Sequence, residues 1–214
     1  MSPPITKRRL FGLDRSGPAP AQTRSDQPLH PWTIPNAIGF ARLAGIPVFL
    51  ILALASGDGH STLATILFAL IGWADYLDGF AARLTGQYSR LGALLDPIID
   101  RLLVVSGMVV CWHFSLLPRW AIAVVVAREL LMLALSRYGL SRGVDITINW
   151  AGRIGVAPTM GAPFFAMAGV HWLALVMLYV GIAFGLGATF LYIVRGAREL
   201  KGRSEEDRKA SSSD

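Results

Sequence analysis

Four aspartates, Asp75, Asp78, Asp96 and Asp100, stand within 26 residues of an otherwise apolar stretch, WADYLDGFAARLTGQYSRLGALLDPIIDRLLV, residues 73–104. At about 100° per residue, Asp75, Asp78, Gly79 and Ala82 share one helical stripe, with Arg83 at its edge. Gly92, Asp96 and Asp100 share a second stripe on the next helix. The connection LTGQYSR is short, so the two helices are expected to be antiparallel neighbours with facing carboxylates. Clustered carboxylates are ligands for hard divalent cations. A carboxylate within reach of a hydroxyl can also remove its proton. The small residues Gly79, Ala82 and Gly92 leave room on the acidic face for a flat or bulky ligand.

Such a cluster is costly in a membrane helix. Each aspartate costs about 2.5–3.5 kcal/mol at the helix centre, less near an interface, and like charges brought together add repulsion. Arg83 and Arg101 offer compensating charge, and divalent cations offer more. Two other readings stand beside this one. The carboxylates and arginines could form a salt-bridge network that only orients two helices, or the carboxylates could form a cation-translocating site. The stripes lie towards one end of their helices and no paired broken helices mark corresponding halves, which weighs against transport.

The elements that must position these residues follow from composition and pattern. The 214 residues are 53% hydrophobic and only 16% charged, with a mean hydropathy of +0.49. This excludes an ordinary soluble domain and implies an all-α integral membrane protein. The net charge of +6 is then topological, and nucleic acid is not an expected partner. The single cysteine, Cys111, lies in an apolar run and forms no intrachain disulfide. Six apolar segments, near 38–56, 61–83, 91–115, 118–138, 151–169 and 171–195, each have about the 17–25 residues of a bilayer crossing. Residues 1–30 read as a disordered basic cytoplasmic tail, 31–196 as one six-helix membrane domain, and 197–214 as a charged tail that begins as a helix extension. In PWTIPNAIGFAR, Trp32 suits the headgroup level, and Asn36 is expected to cap the first helix after Pro35. Basic residues crowd the termini and alternate loops, with only Arg119 in the other loops. Both termini and the acidic site are therefore expected to face the cytoplasm.

The motif resembles that of the CDP-alcohol phosphotransferase family, D-x2-D-G-x2-A-R-x8-G-x3-D-x3-D. It is met in full by Asp75, Asp78, Gly79, Ala82, Arg83, Gly92, Asp96 and Asp100. A weaker likeness runs over about 32–195, including Ile34, Pro35, Asn36 and Arg42, and Ala127, Arg128 and Glu129. The resemblance implies a six-helix enzyme of the plasma or inner membrane, often a homodimer, with two Mg²⁺ or Mn²⁺ ions at a cytoplasm-facing site. Asp75, Asp78 and Asp96 would be metal ligands. Asp100 would be a further ligand and the general base on the acceptor hydroxyl. Gly79, Ala82, Arg83 and Gly92 would meet the CDP-diacylglycerol donor, whose tails stay among the membrane lipids.

Other residues bear on the acceptor and on packing. Arg137, Arg142 and Arg153 cluster near the expected inner face, where an anionic acceptor would need donors; the plain alternative is positive-inside charge. Glycerol 3-phosphate is the first acceptor expected. The segment GRIGV, Gly152 to Val156, stands where family members making phosphatidylglycerophosphate carry GKxKT. That leaves phosphatidylglycerol, which would yield cardiolipin, and inositol phosphate as alternatives. Arg128 and Glu129 are expected to pair with each other or with another helix. Gly181, Gly185 and Gly187 would allow close helix approach, in a dimer face or in ordinary packing. Reporter fusions at residues 20 and 205 should both read cytoplasmic; an external signal from either would overturn the six-crossing topology.

Overall fold

The computed structural model describes the backbone of residues 30–141 and 150–210, and within them the side chains of residues 30–132, 134, 135 and 157–194. Six helices follow in order: α1 Ile34–Leu54, α2 Thr62–Thr85, α3 Arg90–His113, α4 Arg119–Ser141, α5 Trp150–Met167 and α6 His171–Ala210. Each apolar segment of the sequence has become one helix, and no strand occurs among the described residues. Three of them, α1, α2 and residues 171–194 of α6, are long and apolar enough to cross a membrane. Outward-facing Val48, Ile51, Leu63, Ile66 and Leu70 are exposed. Apolar surface of this extent needs lipid against it, and the chain is a membrane protein.

The chain divides into two compact units, residues 1–110 and 111–214. In the first, α1 packs against α2. The buried residues of α1 are Asn36, Gly39, Arg42, Ile46, Phe49 and Ala53, a spacing of three and four that keeps them on one face. Phe49 meets Phe68 of α2 with ring centroids 5.1 Å apart. Gly45 permits close approach: a Cβ there would lie 3.0 Å from Ile71 Cδ1.

The start of α1 differs from the expected cap. Thr33 is the N-cap, with φ −127° and ψ 155°, and its hydroxyl accepts from the Asn36 amide. Pro35 sits inside the first turn, where its missing N–H costs nothing. Asn36 is therefore already helical, and its side chain is released for another task. The end of α2 is closed by Gly86 in the left-handed conformation, φ 67°, which a residue with a Cβ adopts only at a cost.

In the second unit α6 packs against both α5 and α4. The α5–α6 turn closes with Gly169 at φ 79°. The Val170 N–H donates to Phe165 O and the Gly169 N–H to Ala166 O, at 2.9 and 3.1 Å, so the last carbonyls of α5 are satisfied. Small residues bring the helices together. Ala162, Ala166 and Ala174 are buried, and a Cβ at Gly181 would stand 2.7 Å from Thr159 Oγ1 and 3.1 Å from its backbone nitrogen. Arg128 pairs with Glu129 and also donates from Nε to Thr189 Oγ1 of α6 at 3.2 Å, so both expected partnerships occur. Gly185 lies against this guanidinium, with Nε 3.5 Å from where a Cβ would be. The segment expected to begin a charged tail at 197 continues α6 as far as Ala210. Its composition is strongly helix-forming, and Glu199/Arg203 and Glu205/Lys209 stand at the favourable i, i+4 spacing.

Gly181, Gly185 and Gly187 of α6 thus separate. Gly181 is pressed against Thr159, whereas a Cβ at Gly187 would meet nothing within 4 Å. Gly181→Ala should destabilise by about 1–3 kcal/mol and lower the thermal midpoint of the detergent-purified protein. Gly187→Ala should leave the midpoint unchanged or raise it. Equal effects at the two positions would refute this packing.

Candidate active site on α1, α2 and α3

Two helices supply the carboxylates and a third supplies the charge that holds them. Asp75 and Asp78 project from α2 at i and i+3, and Asp96 and Asp100 from α3 at i and i+4. Arg42 of α1 reaches into the same place. Its Nη1 donates to Asp75 Oδ1 at 3.0 Å and to Asp78 Oδ2 at 2.8 Å. Its Nη2 donates to Asp100 Oδ1 at 2.6 Å, and its Nε to the backbone oxygen of Ile71 at 3.1 Å. The bare Gly45, one turn beyond Arg42, lets α1 lie against Ile71 and brings the guanidinium within reach of that carbonyl.

The cluster is graded from buried to open. The side chains of Arg42 and Asp78 are 1% and 7% exposed, those of Asp75 and Asp100 46% and 34%. Asp78 is thus a buried partner, while Asp75 and Asp100 retain surface for a ligand. Asp96 is half-buried and interacts electrostatically with Asp75, Arg42 and Asp100. The structure therefore brings all four predicted aspartates into one electrostatic group. Among the described residues, no three acidic, histidine or cysteine side chains stand close enough together to enclose a metal ion as they are. The donor set nevertheless suits a hard divalent cation by its chemistry. It is all oxygen, and each of the hydrogen bonds from Arg42 occupies one oxygen of its carboxylate.

The small residues of the motif have different tasks. A Cβ at Gly79 would lie 3.3 Å from Arg83 Nη1, so the bare backbone lets Arg83 fold along its own helix. Ala82 is buried. The space over Gly92 is filled by the chain itself: a Cβ there would stand 2.7 Å from Asn36 Oδ1 and 3.1 Å from Ser89 Oγ. Ser89 Oγ donates to Asn36 Oδ1 at 2.7 Å and accepts from the Gly92 N–H at 2.9 Å. The Asn36 side-chain Nδ2 donates to the carbonyls of His30 and Pro31, both at 3.0 Å. The Ile34 N–H donates to Gln87 Oε1 at 3.0 Å. Asn36 is thus a clasp between the start of α1 and the α2–α3 connection. Of the residues suggested for the acceptor, Arg142 lies outside the described residues. Arg153 stands in the first turn of α5, and its side chain is also outside them.

Sequence reasoning placed the balancing charge on Arg83 and Arg101 and gave no role to Arg42. The available signal was an arginine in the middle of an apolar helix, on the same face as Asn36 and Phe49. Its distance from Asp75, 33 positions along the chain, concealed the partnership.

The chain is similar to known proteins over most of its length. The family model described as CDP-alcohol phosphatidyltransferase matches residues 32–187. A cardiolipin synthase (CMP-forming) of Streptomyces coelicolor is 38% identical over 169 residues, covering 75% of this chain and 77% of the relative. A CDP-diacylglycerol–glycerol-3-phosphate 3-phosphatidyltransferase of Bacillus subtilis is 32% identical over 135 residues, 58% of this chain and 70% of the relative. One of the same name from Shigella flexneri is 30% identical over 160 residues, 71% and 84% of the two chains. With the complete acidic motif gathered around one buried guanidinium and the match extending from Trp32 to Gly187, this chain belongs to the CDP-alcohol phosphatidyltransferase family.

Proposed function

We propose that this protein is an integral membrane enzyme that transfers a phosphatidyl group from CDP-diacylglycerol to an alcohol and releases CMP. The observation that carries the reading is the convergence of Asp75, Asp78 and Asp100 on one point within the full family motif. In the reaction the acceptor oxygen forms a bond to the phosphatidyl phosphorus, the bond from that phosphorus to the CMP phosphate oxygen breaks, and the hydroxyl proton leaves. Asp100 is the base. Its Oδ1 is engaged by Arg42, so Oδ2 is the atom assigned to the proton. Asp75, Asp78 and Asp96, with Asp100, are the residues to hold divalent metal, Mg²⁺ or Mn²⁺, as two ions. When bound, the metal neutralises the diphosphate and the leaving CMP phosphate. Gly79, Ala82 and Arg83 are assigned to the cytidine diphosphate, whereas Gly92, whose face is filled by Asn36 and Ser89, serves packing. The reading includes six membrane crossings in one domain, cytoplasmic termini and site, and a homodimer.

The B. subtilis and S. flexneri relatives, by name, use glycerol 3-phosphate, which supports the acceptor first expected. A second reading, phosphatidylglycerol, is favoured by the name of the S. coelicolor relative and by GRIGV in place of GKxKT at residues 152–156. Purified protein given CDP-diacylglycerol with each acceptor in turn should release CMP with one of them, and the lipid product identifies which. CMP release with neither would overturn both readings.

Replacing Asp75, Asp78 or Asp96 by Asn should abolish turnover in protein that still inserts; near-normal turnover at limiting Mg²⁺ would remove that residue from the ligand set. Asp100→Asn should lower kcat by about 10²–10⁴-fold or more while metal-dependent donor binding persists. Arg153→Ala should raise the KM of a phosphate-bearing acceptor and spare the donor. Kinetics with each substrate varied in turn separate the two effects, and an unchanged acceptor KM in Arg153→Ala would end that assignment.

A further inference from the structure

Arg42 reaches both acidic helices from a third, and every nitrogen of its guanidinium is engaged. Nε is anchored on the backbone oxygen of Ile71, Nη1 forks to Asp75 and Asp78, and Nη2 takes Asp100. The side chain is 1% exposed. Such a group does not swing aside readily, because leaving would strand a buried charge and uncover a buried carbonyl. The planar fork also fixes direction: three carboxylates and a carbonyl can be held at 2.6–3.1 Å by one guanidinium but not by the compact ammonium of lysine.

We infer that Arg42 is a positioning residue for phosphatidyl transfer, a built-in cation that gathers Asp75, Asp78 and Asp100 and fixes one oxygen of each before metal binds. The inference rests on the reading that these carboxylates serve metal and acceptor. Each hydrogen bond engages one named carboxylate oxygen and sets the direction of the other. The charge matters as well. Four carboxylates around one guanidinium remain net negative, so the cluster still attracts cations, yet it is not left to mutual repulsion before they arrive. Arg42 and a divalent ion thus neutralise the same groups, and loss of the first raises dependence on the second.

The test uses the full chain in lipid nanodiscs and two variants. Arg42→Lys keeps the charge and loses the fork. It should lower kcat by about 10–100-fold, as loss of a ligand-orienting partner does, with the KM for CDP-diacylglycerol nearly unchanged and the metal-free thermal midpoint close to that of the parent. Arg42→Met keeps the length and loses the charge. Its metal-free midpoint should fall, and saturating Mn²⁺ should raise the midpoint by more than it does in the parent. Parental kcat in Arg42→Lys, or a parental Mn²⁺ shift in Arg42→Met, overturns the inference. If Arg42→Met does not accumulate in the membrane, Arg42→Lys decides alone through the kcat and KM split. A parent protein that turns over while its midpoint ignores Mn²⁺ refutes the metal reading instead, and the kcat of Arg42→Lys still decides the role of Arg42.

Discussion

A buried guanidinium among carboxylates is the constraint on which the first unit depends. Arg42 lies on an apolar helix, where a charge without partners is costly, and its partners come from two other helices. Removing Arg42 would leave the buried Asp78 without its partner, and an uncompensated buried charge costs about 3–5 kcal/mol. The buried face of α1 is therefore chosen by polarity at one end and by Ile46, Phe49 and Ala53 at the other. The bareness of Gly45 and the carbonyl of Ile71 serve the same contact. The feature that assembles the helices is also the feature that orders the chemistry, which explains why so polar a cluster is tolerated there.

Elsewhere the chain relies on smallness. Lipid offers helices little hydrophobic reason to associate, so they gain by close contact and by satisfied polar groups. Gly181 against Thr159 and Gly185 against Arg128 are contacts of this kind. The Arg128–Glu129 pair, with Thr189 beside it, completes polar bonding within the second unit. Among the described residues no buried side-chain nitrogen or oxygen lacks a hydrogen-bond partner. Both units meet the same requirement, one with a charged cluster and the other with glycines and a short polar relay.

Much of this was legible in the sequence because the signals are local. Apolar runs of bilayer length marked the six helices, and i, i+3 and i, i+4 spacing placed each aspartate pair on one face. What stayed hidden depends on which helices become neighbours. Arg42 is separated from Asp100 by 58 positions, and no periodicity reports that they touch. Asn36 was misread for a related reason: its preference for helix caps is real, but Thr33 lay closer to the start and Pro35 fitted the first turn. The space at Gly92 seemed open to a ligand because a sequence shows what a residue lacks and not what fills the gap.

The contact between Asn36 and Gly92 makes two distant positions interdependent. With Oδ1 of one only 2.7 Å from where a Cβ of the other would stand, position 92 has no freedom of its own while an amide occupies position 36. A chain that drifted from glycine at 92 would first need a shorter side chain at 36, and that change alone would release Ser89 and the carbonyls of His30 and Pro31. The route between two workable pairs passes through a worse protein, so the first turn of one helix and the first turn of another are held to a joint choice.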